Sequence, residues 1–235
     1  RKLVEKRLGQ YPSIGSRTDV GTMNIQNING TFKVRDMDGN IETLTFENEL
    51  MWAGPLNHNG FMRWMQNKTT QGYVLASATK TSETYLVTAL CDQDGQNCEE
   101  IALRYLLSGS YFGDDINRHL YRNGYASTGL TSLSFEIEDG TGRPYIVATK
   151  YERKIGGFGG DDAVGVVVVD IQTGETVEYS IDDAPAWIDR IQPENFVSDQ
   201  LDDWGQYVQG WWNATFGRKD SVVVTTPGMS LVPGA

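Results

Sequence analysis

Gly39-Asn-Ile-Glu-Thr-Leu-Thr-Phe-Glu-Asn48 and Gly174-Glu-Thr-Val-Glu-Tyr-Ser-Ile-Asp-Asp183 carry the reading of the fold. Both alternate polar and apolar side chains, the pattern of a strand with one buried face. Each follows another apolar run, Thr31 to Arg35 or Val164 to Val169, across a turn holding Asp38-Gly39 or Thr173-Gly174, so each predicts an antiparallel hairpin. Trp52 and Phe61 follow the first stretch as Trp187 and Phe196 follow the second, at the same offset of 135 residues as the two glycines. The predicted unit is a hairpin, a Trp-bearing corner and a helix, present twice.

Outward from these copies, Tyr73-Val-Leu-Ala-Ser-Ala-Thr79 resembles Tyr145-Ile-Val-Ala-Thr-Lys150 as a leading strand. A looser third unit starts at Gly95 without its Trp and runs through Tyr111-Phe112 to a helix over Asp114 to Arg122, with Asp114 as its N-cap. Val197, Leu201, Trp204, Val208 and Trp211 make an apolar stripe on one face of a further helix, read as core. Strands are expected at 21–28, 30–36, 41–47, 73–79, 84–91, 99–107, 132–137, 144–152, 164–170, 175–181 and 221–226. The expected fold class is α+β: antiparallel sheets built from repeated hairpin-plus-helix units, with few short helices. The expected divisions are a basic stalk or helix at 1–17, an N-terminal half at 18–108, a C-terminal half at 109–228 and a tail at 229–235.

The 235 residues carry 20 Lys and Arg against 31 Asp and Glu, a net charge of -11 that argues against nucleic acid as a partner. No apolar run is long enough to span a bilayer. Charge is polarised along the chain. Residues 1–17 hold Arg1, Lys2, Lys6, Arg7 and Arg17 against Glu5 alone, with Leu3, Val4 and Leu8 between them, which suits either a stalk near an anionic membrane surface or a solvated helix. Residues 155–205 hold twelve carboxylates against Arg190 alone. Asp161, Asp162, Asp182, Asp183, Asp202 and Asp203 of this stretch are candidate contacts for a protein or envelope polymer with a basic surface.

Cys91 and Cys98 flank Asp94-Gly95 between the apolar runs Tyr85 to Leu90 and Ile101 to Leu107, a spacing that lets them face each other across a hairpin. A disulfide there implies an oxidising compartment, whereas reduced core thiols would imply the cytosol. His58 and His119 are the only histidines and no second Cys pair accompanies them, so no metal site is expected. Asp36-Met-Asp38-Gly39 and Asp92-Gln-Asp94-Gly95 share Asp-x-Asp-Gly with calcium loops but lack the ligands at both ends, and type I′ turns explain them.

Catalytic signals are few. Asp115 and His119, at i and i+4, could form a base and its orienting carboxylate, but the helix macrodipole alone favours carboxylates in a first helical turn, and the structural reading is preferred. Ser108, Ser110 and Tyr111 lack the context of a nucleophile motif. Ile155-Gly-Gly-Phe-Gly-Gly-Asp-Asp162 leads into a strand, so it is a hairpin loop with Phe158 at its tip, a candidate binding contact, rather than a phosphate cradle. No cofactor is expected.

Gly165-Val-Val-Val-Val-Asp-Ile-Gln-Thr-Gly174 with its returning strand resembles the hairpin of PepSY-type extracytoplasmic modules. Tyr111-Phe-Gly113, Arg118-His-Leu120, Phe135-Glu-Ile-Glu-Asp139, Pro144-Tyr-Ile-Val147, Pro185-Ala-Trp-Ile-Asp-Arg-Ile191, Trp204-Gly-Gln-Tyr-Val208 and Gly210-Trp-Trp-Asn213 are similar to segments in the soluble part of large bacterial multi-pass membrane proteins. That resemblance implies a bacterial or phage-related, membrane-tethered origin, with the tether outside this chain, and transfers no enzymatic role. The function expected is a non-enzymatic extracytoplasmic binding or structural module of a membrane-anchored protein. The alternative is an envelope-acting hydrolase using Asp115 and His119.

Overall fold

The computed structural model describes residues 18–189 apart from 37, 81, 82, 132 and 156–158, with backbone only for 153–155 and 159–161. The basic segment 1–17, Phe158, the stripe Val197 to Trp211, Asp202, Asp203, the strand expected at 221–226 and the tail lie outside the described residues. So does Phe196, and with it the helix of the second repeat.

The described residues are mostly antiparallel sheet with few short helices. A first sheet joins β1 (Thr18–Val20), β2 (Asn24–Arg35), β3 (Ile41–His58), β5 (Tyr73–Ser77), β6 (Thr84–Val87), β7 (Ala89–Cys91) and β8 (Cys98–Glu100). Its order is β6-β5-β3-β2-β7-β8, with β1 on β3. β4 (Thr70–Gln71) pairs separately with β9 (Ala102–Leu103). The second sheet has the order β10-β12-β13-β14, with β11 also on β12. Its strands are β10 (Gly129–Leu130), β11 (Ser134–Ile137), β12 (Pro144–Ile155), β13 (Gly159–Asp170) and β14 (Thr176–Ser180). The helices are α1 (Phe61–Gln66), a 3₁₀ turn at Phe112–Asp114 and α2 (Ile116–Leu120), which runs into a π turn at Tyr121–Tyr125.

The hairpins end alike. Asp36, Asp92, Glu138 and Asp170 each accept, on the backbone carbonyl, a bond from the N–H of a positive-φ glycine: Gly39, Gly95, Gly142 and Gly174. Asp36 and Asp92 also turn their carboxylates back to backbone N–H groups of Asn40 and Gln96. The type I′ expectation is corrected here, because among the described residues only Asn48 and Phe112 are non-glycines with positive φ, and Asp38 and Asp94 keep ordinary angles. A capping acid before the turn, with one left-handed glycine at its end, replaces two left-handed residues.

The first Trp anchor does not make a corner. β3 continues for 18 residues, and Trp52 pairs in register with Ile25 on one side and Ala76 on the other, 42% exposed on the outer face. Trp187 instead follows β14 and stacks on Tyr145 at 5.2 Å. The two anchors therefore occupy different settings. Val166 to Val169 are buried on both faces, since Val167 and Val169 enter the main core while Val166 and Val168 pack under Ile188 and Trp187. That two-sided burial is why the run is continuously apolar.

One core joins the sheets: Phe32, Leu44, Phe46 and Tyr73 of the first meet Phe135, Ile146, Val167 and Val169 of the second. A polar clamp fixes their register. The buried Gln26 amide donates to Ile137 O at 2.7 Å and accepts from Ile137 N at 2.8 Å, imitating a strand partner for β11. The Tyr73 hydroxyl donates to Gly142 O at 2.7 Å, and burial pushes its pKa up.

Candidate functional site

A disulfide links Cys91 to Cys98, directly opposite each other across β7 and β8. It points to an oxidising, extracytoplasmic environment. A groove of about 470 Å³ runs beside it past Glu99, Thr141 and Arg143, and Arg143 is paired with Asp170 at 3.5 Å.

The predicted acidic contacts fall at one end of the second sheet. Asp162 lies opposite Glu152 in β13, and β14 ends at Ser180 opposite Gly165, so the turn holding the exposed Asp182 and Asp183 leaves the sheet close to Asp162. The Asp183 carboxylate accepts the Ser180 hydroxyl at 2.6 Å, a bond within its own turn. Asp161 is described by its backbone alone.

Asp115 and His119 share a helix without joining their side chains. Asp115, not Asp114, caps α2, its carboxylate accepting from Arg118 N at 3.0 Å. The His119 ring meets Gly174 O at 2.7 Å through Nε2 and packs on Tyr105 at 4.3 Å. Each group is engaged in a structural contact. Among the described residues no three His, Cys, Asp or Glu side chains gather as metal ligands. The Asp92 carboxylate is held below the usual range first by the Asn97 side-chain bond.

An aromatic platform that no sequence motif announces stands where β3 ends. β3 ends at His58, Gly60 turns the chain with φ 92, and Gly60 O accepts from Arg63 N and Trp64 N to start α1. Phe61, Trp64 and Met65 stand at i, i+3 and i+4 on one face, with Met62 a quarter-turn round, and only Trp64 finds cover. Trp64 goes inward, and Phe61, Met62 and Met65 stay 40%, 60% and 48% exposed. Beside them the segment after Gly109 returns Tyr111 and Phe112. Gly109 (φ 80) sits so close to His58 that a Cβ would meet its backbone N and O at 2.9 Å, so only glycine lets the two segments touch.

Four rings then cluster. Phe61 meets Trp64, Tyr111 and Phe112 at 5.7, 5.2 and 6.2 Å between centroids, and Trp64 meets Tyr111 and Phe112 at 5.5 and 5.7 Å. Phe112 is 60% exposed and holds φ 54, a left-handed angle costing a bulky residue about 1–2 kcal/mol. The brace beneath is Asp114, buried, whose Oδ1 accepts from Arg104 Nε at 2.8 Å and Oδ2 from Trp64 Nε1 at 3.2 Å. Lys68 Nζ stands 3.3 Å over the Trp64 ring. Arg122 lies against Gly113, where a Cβ would stand 3.1 Å from its Nη1.

Behind the platform His58 is buried, and its pKa is lowered by that burial against opposing pulls from the Lys68 backbone and Asp114. Its Nε2 and the Oδ1 of Asn57 have no hydrogen-bond partner among the described residues. One signal for the platform was present in the sequence: Phe61-Met-Arg-Trp-Met65 holds more large apolar side chains than a short helix can bury. The meeting with Tyr111 and Phe112, some fifty residues away, left no local trace.

No protein-family model, curated protein or solved structure matches the chain.

Proposed function

We propose that the chain is a non-enzymatic binding module of an oxidising, extracytoplasmic compartment, part of a membrane-anchored protein, and that its working surface is the aromatic platform. The observation that carries this reading is Phe112, a large apolar side chain kept in solvent at a backbone angle that costs stability. Its ring touches Phe61 and Trp64, yet it stays 60% exposed, as the rigid exposed rings of a binding surface do. The engagement of Asp115 and His119 in structural bonds favours binding over hydrolysis. The membrane anchor enters through the resemblance of the 111–213 segments to soluble parts of multi-pass membrane proteins, and the PepSY-like reading of the Gly165 to Ser180 region is limited here to its hairpin, whose Asp-to-Gly turn recurs at Asp36. The acidic end, with Asp162, Asp182 and Asp183, would serve a basic protein or envelope polymer as a second contact.

The test is site-specific photocrosslinking in the native envelope, with benzoylphenylalanine in place of Phe112 or, as control, of Ile41 in the β2–β3 hairpin. Adducts are expected from position 112 in clear excess over position 41. Equal yields would remove the platform from the function.

A further inference from the structure

We infer that the aromatic platform docks on a membrane surface rich in anionic lipid, with Phe61, Met62, Met65 and Phe112 entering the headgroup boundary and Arg63, Lys68 and Arg122 meeting lipid phosphates. The inference rests on the reading of the platform as the binding surface and names its partner.

Charge segregation is the first support. On a chain with 31 acids, Leu50 to Ser82 contains none, and neither do Ile101 to Gly113 or Ile116 to Phe135. Parts of these stretches build the platform and its rim, and together they carry Arg63, Lys68, Lys80, Arg104, Arg118 and Arg122, with Lys80 paired to Glu49 and Glu83. Between the first and second stretches lie Glu83, Asp92, Asp94, Glu99 and Glu100, in and beside β6 to β8; between the second and third lie only Asp114, buried on Arg104 and Trp64, and Asp115, committed to capping α2. With Asp19 of β1, exposed opposite Asn57, as an exception, a protein of net charge -11 thins its carboxylates at one end and offers that end to an anionic surface.

Chemistry and chain path are the second and third supports. Exposed aromatics and Met rimmed by Lys and Arg form the side-chain set of interfacial membrane contacts, where shallow apolar insertion and electrostatic attraction add. Thr18 pairs with His58, three residues before Phe61, so the segment holding Arg1, Lys2, Lys6, Arg7 and Arg17 joins the fold at this same end. One shallow insertion gives marginal binding, and basic residues of the same chain supply a second signal.

The experiment is flotation of the full chain with vesicles of phosphatidylcholine containing phosphatidylglycerol, and with phosphatidylcholine alone. The chain should float with the anionic vesicles and stay below with the neutral ones. Phe61→Ser with Phe112→Ser should lower partitioning at least tenfold in a variant that still unfolds cooperatively, the lost ring contacts costing only a few degrees of melting temperature. Arg63→Gln with Lys68→Gln should lower it about thirtyfold. If the chain stays below in both vesicle types, or if the Phe61/Phe112 variant floats like the parent while only Lys2→Gln, Lys6→Gln and Arg7→Gln abolish flotation, the platform is not the membrane contact. In either of those cases protein adducts from position 112 would leave the binding reading standing with another partner, and their absence would end both.

Discussion

The aromatic end and the acidic end both put charged or apolar side chains into solvent, and the bonds seen at each differ in depth. At the aromatic end the buried Asp114 ties Trp64 to Arg104, and Arg104 N in turn donates to Ile171 O of the second sheet. At the acidic end Asp183 bonds, among the described residues, only Ser180 of its own turn. About 40 Å of β13 runs between the turn after Asp170 and the far tip of that strand. A surface fixed by buried bonds recognises shape and meets its ordering entropy during folding, whereas carboxylates on turns attract by charge and are screened within about 8 Å at physiological salt.

The largest effect should come from breaking the brace. Asp114→Ala leaves the buried Trp64 N–H without its acceptor and Arg104 without its partner, and should cost on the order of 3 kcal/mol in a urea titration. Asp183→Ala, at the acidic end, should stay within about 0.5 kcal/mol. Equal costs would erase the contrast. Replacing Cys91 and Cys98 by Ala should cost about 2 kcal/mol by the same titration, because a short loop is freed in the unfolded chain. Flotation should survive that change, since the disulfide lies outside the brace.

Acid should weaken the aromatic end by a smaller amount. Burial holds the native His58 pKa below its usual 6.5, so the unfolded chain takes the proton more readily. Its contribution is therefore complete above about pH 6.5 and is lost as pH falls from there through the lowered native value. Melting temperatures across this window should fall for the parent and fall less for His58→Gln. Smaller still, Phe112→Gly relieves the left-handed angle while losing ring contacts, so its stability should change by no more than about 1 kcal/mol in either direction. A larger loss would show that Phe112 serves packing.

Much of the sheet was legible because the hairpins are local: Asp36 to Gly39, Cys91 to Cys98 and the valine run announce themselves within about ten residues of sequence. The continuation of β3 past Asn48 was not. Leu50-Met-Trp-Ala-Gly-Pro-Leu56 breaks strict alternation, since Leu56 and Val74 are themselves covered on the outer face, so a strand partly buried on both sides read as a corner. Helix α2 was placed one residue early because two adjacent aspartates offered equal caps, and only the fold sends Asp114 inward. The platform escaped because its halves meet through Gly109 against His58, a contact between distant segments.

The most direct measurement is hydrogen exchange along the full chain with and without anionic vesicles. The account predicts added protection at Phe61–Gln66 and Tyr111–Asp114, with none at Thr176–Asp183. Protection at Thr176–Asp183 alone, or at neither region while the chain is bound, would contradict it.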